Sequence, residues 1–175
     1  DWNDRGTCVL FGDGAGAAYL EESDKGIISV VQGSIGKKGM VLNCESRRTH
    51  NIFTEDGIEH DYLHMDGQEV YKFAVRQCPK CLLEALEKAD MTADDIDYFV
   101  LHQANVRIIE SVAKRLKAPI EKFPMTLGYT GNMSAASVPV MLDSLVRDGG
   151  LIRGDKVAMS AFGAGLTYGA IVLEW

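Results

Sequence analysis

The pattern of apolar and polar positions predicts extended runs toward both ends of the chain and helices between them. Near the start, residues 7–11 and 17–21 are extended runs on either side of a glycine-rich segment, Gly12 to Gly16. The β-branched run at residues 27–31 follows. This part of the chain therefore predicts strands rather than helices.

Helical spacing takes over in the middle of the chain. Apolar residues recur every three or four positions over residues 68–89 and over 104–116. Pro79 lies inside the first of these segments, so we expect a kink or local break there. A third helix is predicted from Gly131-Asn132 through Val146, with glycines at 149–150 ending it.

Three further short runs complete the pattern. Residues 97–101, 156–161 and 166–173 are typical of strands, whereas residues 33–67 hold glycines among polar residues and predict a long irregular excursion. The order of elements predicts an α/β fold, with a mixed five-stranded sheet and helices packed on it.

Composition narrows the function classes. The chain has 175 residues, 46% hydrophobic and 25% charged, which favours one globular domain spanning residues 1–175. A net charge of −7 argues against a nucleic-acid or anionic-membrane binder. No apolar run is long enough for a membrane span. Four cysteines do not make a disulfide scaffold, so we expect a reduced cytoplasmic setting. The chain opens on Asp1 without Met, which leaves open that it is a piece of a longer protein.

Several motifs favour ordinary structural roles. The segment Gly12 to Gly16 resembles a phosphate-binding loop, but an extended run follows where a helix is needed, so a tight connection is favoured. Cys78 and Cys81 form a C-x-x-C inside a predicted helix with no second pair, which disfavours zinc or redox chemistry. Three histidines share a polar loop, where exposure to solvent is favoured over metal binding: His50, His60 and His64.

Three loops carry stronger candidates, each with a structural alternative. His102 ends an apolar strand, where catalytic residues collect in α/β folds, or it satisfies local backbone groups. Asn132 is either a helix cap or an amide that stabilises an oxyanion at a helix start. The turn at residues 162–165 is either a plain hairpin or a place where backbone N–H groups approach a reacting carbonyl.

Taken together, these loops resemble the β-ketoacyl-acyl-carrier-protein synthase III family. The matching strings are HQANVRI at 102–108, GNMSAAS at 131–137 and AFGAGLTYGA at 161–170, with a further match from Asp4 to Ala17. The His and Asn pair is similar to this branch of the thiolase-fold condensing enzymes; the elongating synthases use two His.

The resemblance implies that this chain is the C-terminal, thiolase-like half of a two-half acyltransferase. The family nucleophile is a Cys of the N-terminal half, and none of the four cysteines here lies in a matching motif. The implied reaction condenses an acyl-CoA primer with malonyl-acyl-carrier-protein by decarboxylation and initiates fatty acid synthesis. It needs no cofactor and no metal, and the implied partners are the N-terminal half, acyl carrier protein and a second copy of the full enzyme.

The resemblance also implies roles for the loop residues. His102 and Asn132 would donate hydrogen bonds to the malonyl thioester oxygen, His102 through a ring N–H. Backbone N–H groups around Gly163 and Ala164 would bind the acyl-enzyme carbonyl. Phe162 would shield the malonyl site and disfavour a carboxylate.

A basic face on the second helix is expected to bind the acidic carrier protein, although composition alone favours a solvated face. The residues implied at the pantetheine tunnel and the carrier surface are Gly67, Gln68, Tyr71, Lys72, Ala104, Asn105, Arg107, Lys114 and Arg115. Gln68 stands where the family often has Asn, which departs from the pattern. Two other functions stay open: a non-catalytic module that binds CoA or carrier protein, and a secondary-metabolite synthase of the same branch.

Overall fold

The structure is a computed structural model that describes residues 1–44, 53 and 62–175. Its main sheet contains β1 (Ile27–Ser34), β4 (Tyr98–Leu101), β5 (Lys156–Gly163) and β6 (Thr167–Glu174) in the order β1-β6-β5-β4. A separate pair is formed by β2 (Leu42–Asn43) and β3 (His64–Met65). Since β4 runs parallel to β5 and the other pairs are antiparallel, the predicted mixed sheet is confirmed.

Helices cover the two faces of this sheet. The α-helices are α1 (Gly67–Lys88), α2 (Val106–Leu116), α3 (Leu127–Thr130) and α4 (Ser137–Arg147). Short 3-10 helices lie at Gly36–Val41, Ala93–Asp95, Ile120–Lys122 and Ser134–Ala136. The larger core lies between the sheet and α1 and α2, and a smaller core lies under α4.

Local sequence explains where the two long helices begin. Asp66 caps α1, because its carboxylate accepts from the backbone N–H groups of Gln68 and Glu69. Asn105 caps α2 in the same way, accepting from the backbone N–H of Arg107 at 2.9 Å. The apolar stripe of each helix is buried in the larger core, with α1 packed on the sheet and α2 packed on α1, which stabilises their orientation.

The expected number of strands was wrong, and α1 has no break at Pro79. Within the described residues the main sheet has four strands rather than five, and residues 7–11 and 17–21 form no strand. A strand needs a neighbour for its backbone groups, and no described strand lies beside these runs, so side chains such as Tyr19 (87% exposed) and Leu20 (79%) stay at the surface. The helix α1 continues through Pro79, whose neighbours Cys78 and Cys81 are packed into the core.

Other boundaries differ in detail. The predicted third helix begins at Ser137 rather than at Asn132, since a 3-10 turn precedes it. The predicted excursion at 33–67 contains ordered pieces, including β2 and β3. His50 and His60 lie outside the described residues. Among the residues that are described, no helix is both long and apolar enough to cross a membrane.

Candidate active site

His102 is placed by the sheet. It directly follows β4, and its backbone N–H donates to the Ser160 carbonyl of β5 at 2.9 Å, which continues the parallel pairing by one residue. Its ring packs edge-on against Phe162, with centroids 5.1 Å apart. Burial lowers the pKa of His102 from 6.5 to about 4, because desolvation disfavours the imidazolium. The ring is therefore neutral at neutral pH.

Ser137 fixes the orientation of the His102 ring. Its hydroxyl oxygen lies 2.7 Å from Nδ1 of His102 and accepts from the backbone N–H of Gln103 at 3.2 Å. The side chain is completely buried at the start of α4. Because Nδ1 is engaged by Ser137, Nε2 is the ring nitrogen left for chemistry.

Gln103 holds the loop that follows β4. It is completely buried; its amide donates to the Leu101 carbonyl at 2.9 Å and accepts from the backbone N–H of Thr126 at 3.1 Å. The sequence reasoning singled out neither Gln103 nor Ser137 as a site residue. The only signal for either was its place inside the HQANVRI or GNMSAAS string.

Asn132 presents its amide nitrogen. Its side-chain oxygen accepts from the backbone N–H of Ser134 at 2.9 Å, so the NH₂ group is left to donate. Its backbone is held on both sides by the N-terminal segment: the Asn132 N–H donates to the Leu10 carbonyl and its carbonyl accepts from the Gly12 N–H, both at 3.0 Å. Asn132 therefore adopts an Asx-type turn before α4 rather than capping that helix.

A cavity of about 700 Å³ brings these groups together. Its walls include nine of the residues predicted from sequence, namely His102, Asn132, Phe162, Gly163, Ala164, Gly67, Tyr71, Ala104 and Asn105. Leu10 and Phe11, from the segment before the glycines, also line it. The cavity combines a largely apolar lining with a few hydrogen-bonding groups, as small-molecule sites usually do.

The predicted cationic residues are spread more widely than expected. Arg107 borders a second, shallower depression beside the α2 N-terminus, which shares Ala104 and Asn105 with the cavity. Lys114 and Arg115 lie in the last turn of α2, at the other end of that helix.

The first turns of α1 hold the other two predicted residues outside the cavity wall. Lys72 forms an ion pair with Glu69 at 2.9 Å, and Glu69 also pairs with Lys38 at 2.9 Å. These two cations lower the pKa of Glu69 to about 2. Gln68 does not line the cavity.

None of the four cysteines, all of which lie in described segments, lines the cavity. Cys78 and Cys81 are buried inside α1, and burial raises the pKa of both thiols, that of Cys78 to about 12. Both therefore stay protonated, which disfavours nucleophilic or redox chemistry at this pair.

Comparison with known proteins identifies what the fold and site resemble. Residues 86–175 match the family model for the C terminal of 3-oxoacyl-[acyl-carrier-protein] synthase III, and residues 1–39 match the model for 3-oxoacyl-[acyl-carrier-protein] synthase III. A β-ketoacyl-[acyl-carrier-protein] synthase III of Synechococcus sp. (strain WH7803) is 48% identical and covers 100% of this chain and 53% of the relative. The relative from Clostridium novyi (strain NT) is 46% identical, with coverages of 100% and 55%.

Solved structures give the same picture. The crystal structure of 3-oxoacyl-[acyl-carrier-protein] synthase III from Aquifex aeolicus VF5 superposes with a TM-score of 0.87 at 38% identity, covering 100% of this chain and 53% of that one. The priming β-ketosynthase of the R1128 polyketide pathway superposes with a TM-score of 0.84 at 38% identity, covering 99% and 52%. The chain thus spans about half the length of the relatives it matches.

Proposed function

The chain belongs to the 3-oxoacyl-[acyl-carrier-protein] synthase III family, and from that premise we propose that it is the C-terminal catalytic half of such a synthase. It contributes the His and Asn groups that drive malonyl decarboxylation, and the other half contributes the nucleophilic Cys. The assembled enzyme condenses an acyl-CoA primer with malonyl-acyl-carrier-protein and starts fatty acid synthesis in the cytoplasm. It works without a cofactor or a metal.

The observation that carries this proposal is the convergence of His102 and Asn132 on one cavity. Decarboxylation breaks the bond between the malonyl carboxylate and its α-carbon, and the electron pair moves toward the thioester oxygen. Two hydrogen-bond donors that are already in place stabilise the charge on that oxygen. The α-carbon then attacks the acyl thioester on the Cys, and the Cys sulfur leaves.

His102 can donate to this oxygen only if Nε2 carries the proton of the neutral ring. In that tautomer the Ser137 hydroxyl donates to Nδ1 of His102. This contact, at 2.7 Å, is shorter than the 2.9 Å contact from the same hydroxyl to the Ser134 carbonyl oxygen. The Ser134 carbonyl, its other acceptor, already accepts from the Ser137 backbone N–H. The low pKa of His102 is consistent with a neutral ring in this role.

The loop between β5 and β6 supplies the remaining groups. Backbone N–H groups at Gly163 and Ala164 bind the carbonyl of the acyl-enzyme. Phe162 packs against His102 and keeps the malonyl site apolar, which disfavours the carboxylate and favours release of CO₂.

Carrier-protein docking centres on Arg107. Its depression adjoins the cavity, and Gly67, Tyr71, Ala104 and Asn105 line the route for the pantetheine arm. Lys114 and Arg115 lie too far along α2 to contact a carrier protein at the depression beside Arg107. They contribute at most to the long-range attraction of an acidic partner. Replacing Arg107 with Glu should raise KM for the carrier substrate in a salt-dependent way, whereas Arg115→Glu should change it less.

Malonyl decarboxylation and acyl transfer, measured for the chain alone and after addition of the Cys-bearing half, test the proposal. We expect condensation only when both halves are present. Condensation by this chain alone would contradict the assignment to one half. Failure with both halves present would favour a non-catalytic module that binds CoA or carrier protein.

A synthase of secondary metabolism remains the second candidate, because the R1128 priming ketosynthase superposes almost as well as the synthase from Aquifex. Primer selection separates the two. An enzyme of fatty acid synthesis should accept short acyl-CoA primers at rates that sustain growth of cells that depend on it. A polyketide enzyme put in its place should not sustain growth. The assembled enzyme is expected to be a homodimer, which size-exclusion chromatography with light scattering tests.

A further inference from the structure

We propose that the glycine ribbon, Gly12 to Gly16, is a positioning element for Asn132, so that these glycines set the geometry of the oxyanion site without touching substrate. This inference rests on the proposed function for its catalytic readout only. The motif has no role in the reaction as described above, and its resemblance to a phosphate loop is not supported, since no helix follows it.

Backbone hydrogen bonds join the segment before the ribbon directly to Asn132. Phe11 and Asn132 form a parallel β-bridge outside the sheets, and the two hydrogen bonds on either side of Asn132 go to Leu10 and Gly12, at 3.0 Å each. The partner residues lie more than a hundred positions apart in the sequence. Both peptide groups of Asn132 are therefore fixed by the N-terminal segment rather than by α4.

The ribbon also lies very close to the Asn132 loop and the start of α4. At Gly12, Gly14 and Gly16 the position that a Cβ would take is directed at this part of the chain. A Cβ at Gly12 would lie 2.1 Å from the Thr130 carbonyl oxygen. At Gly14 it would lie 2.4 Å from Sδ of Met133, and at Gly16 it would lie 2.4 Å from Cγ of Pro139. Thr130 precedes Asn132 in the chain, and Met133 and Pro139 follow it, so the ribbon contacts the chain on both sides of Asn132.

The loop residues also lie close to the backbone of the N-terminal segment. Gly131 has a positive φ of 65°, and a Cβ there would approach the Leu10 carbonyl oxygen at 3.3 Å. Asp13 and Ala15 are exposed, and Gly14 and Gly16 are exposed as well, so the ribbon is packed on one side only, the side that lies against the loop and α4. Any side chain at the three glycines must push the ribbon or the loop away.

The three contacts differ in how easily they yield, which predicts a ranking of effects. The Thr130 carbonyl is backbone and adjoins Gly131, so a methyl at Gly12 must move the Asn132 loop itself. The Pro139 ring is stiff and belongs to α4. Met133 has a flexible side chain that can adopt another rotamer. Alanine should therefore harm the site most at Gly12 and least at Gly14.

The effect on Asn132 is transmitted through its side-chain hydrogen bond. The Asn132 oxygen accepts from the Ser134 N–H only while the backbone turn is intact, and this bond directs the NH₂ group. A displacement on the order of 1 Å in a catalytic group lowers rates by about a hundredfold. We expect this loss in kcat for malonyl decarboxylation of Gly12→Ala, with KM for malonyl substrate nearly unchanged.

The experiment compares Gly12→Ala, Gly14→Ala and Gly16→Ala with a matched control, Gly36→Ala, in the enzyme assembled from both halves. Gly36 is exposed in a 3-10 turn, and no atom lies within 4 Å of a Cβ added there. Selective ¹⁵N labelling of the five asparagines gives a readout that does not depend on activity. Asn132→Asp assigns the Asn132 side-chain signal, which should shift in Gly12→Ala and not in Gly36→Ala.

A rescue variant separates positioning from general damage. Met133→Ala removes the sulfur that a methyl at Gly14 would meet, so the pair Gly14→Ala with Met133→Ala should be faster than the product of the single effects predicts. The same replacement should not rescue Gly12→Ala, because the obstacle there is a backbone oxygen.

Two results would overturn the inference. One is an Asn132 side-chain signal in Gly12→Ala identical to that of the unmodified protein. The other is a decarboxylation kcat for Gly12→Ala equal to that of Gly36→Ala. If the unmodified assembled enzyme does not decarboxylate malonyl substrate at all, the proposed function fails, and the ¹⁵N comparison still decides whether the ribbon positions Asn132.

Discussion

The two donors of the site reach the same cavity by different routes. The His102 arm is the end of β4, whose Phe99, Val100 and Leu101 are all buried, and it continues the pairing with β5. The Asn132 arm is a turn between the four-residue helix α3 and α4, and two hydrogen bonds hold it to a segment that forms no strand. One group is positioned by the core and the other by a contact at its edge.

This difference shows how two groups that line one cavity can depend on two kinds of order. The position of His102 follows from burial of the strand before it, so anything that stabilises the core also stabilises His102. The position of Asn132 depends on residues 10–12, in which Leu10 (40% exposed) and Phe11 (37%) lie partly at the surface. The Asn132 arm should therefore move or unfold locally before the His102 arm does.

The largest expected effect comes from truncating the support of the His102 arm. Phe99 is fully buried and stacks on Phe123 with centroids 4.7 Å apart. Phe99→Ala should lower the free energy of unfolding by about 3–5 kcal/mol. The matched change in the ribbon segment, Phe11→Ala, removes a side chain that is 37% exposed and should cost about 1 kcal/mol or less. Urea denaturation measures both; equal losses would mean that the segment holding Asn132 is as much core as β4.

The same contrast explains what could be predicted from the sequence. The strand before His102 and the helix α2 were predicted because periodicity records burial in a core, and the boundaries agree within one or two residues. Residues 7–11 and 17–21 have the same apolar character but form no strand, since a strand also needs a partner that periodicity does not reveal. The bridge between Phe11 and Asn132 joins distant positions, so no local pattern predicts it.

For the site, the resemblance located the loops but not their internal supports. His102, Asn132 and Phe162 meet at the cavity as expected. Ser137 was missed because it lies inside the predicted third helix, where periodicity does not show that its hydroxyl reaches the His102 ring. Lys114 and Arg115 were grouped with Arg107 by composition, although the rise along a helix separates its two ends.

The second prediction removes each donor in turn. His102→Ala and Asn132→Ala should each lower the rate of malonyl decarboxylation by about 10²–10³, which corresponds to about 3–4 kcal/mol of transition-state stabilisation. Acyl transfer to the Cys should partly survive. Since the proposed function has both donors serve one oxygen, the double variant should lose less than the product of the single effects. The decarboxylation rates of the single and double variants decide this. If the two single effects multiply fully in the double variant, the two arms act on different atoms.

The third prediction uses pH to separate the arms, because only one of them titrates. The pKa of His102 is about 4 in the folded protein and near 6.5 when unfolded. As pH falls below 6.5, the unfolded chain takes up a proton that the folded chain refuses, so the free energy of unfolding should fall between pH 6.5 and about 4. The full contribution of His102 is about 3 kcal/mol.

Denaturation of the unmodified protein and of His102→Leu at a series of pH values isolates this contribution as a difference. Asn132→Ala should keep the pH slope of the unmodified protein, since it removes no titratable group. A slope that is unchanged in His102→Leu would show that the imidazole is not desolvated as the fold requires.

The smallest expected effect tests the contact that orients the His102 ring. Ser137→Ala leaves Nδ1 of His102 and the buried N–H of Gln103 without this hydroxyl, and such a loss costs about 1–2 kcal/mol. Decarboxylation should slow by about tenfold, while the Asn132 side-chain signal stays in place. Ser144→Ala, further along the same helix, is the matched control and should leave the rate unchanged.

The ¹⁵N shifts of the His102 ring decide whether Ser137 acts through the tautomer. The proposed function requires a proton on Nε2 in the unmodified protein, and Ser137→Ala should shift the balance toward a proton on Nδ1. A ring already protonated at Nδ1 and bare at Nε2 would make neutral His102 an acceptor, and Asn132 would then be the only side-chain donor of the pair. That outcome would reverse the comparison, because the arm at the edge of the core would carry the charge stabilisation that the buried arm was expected to share.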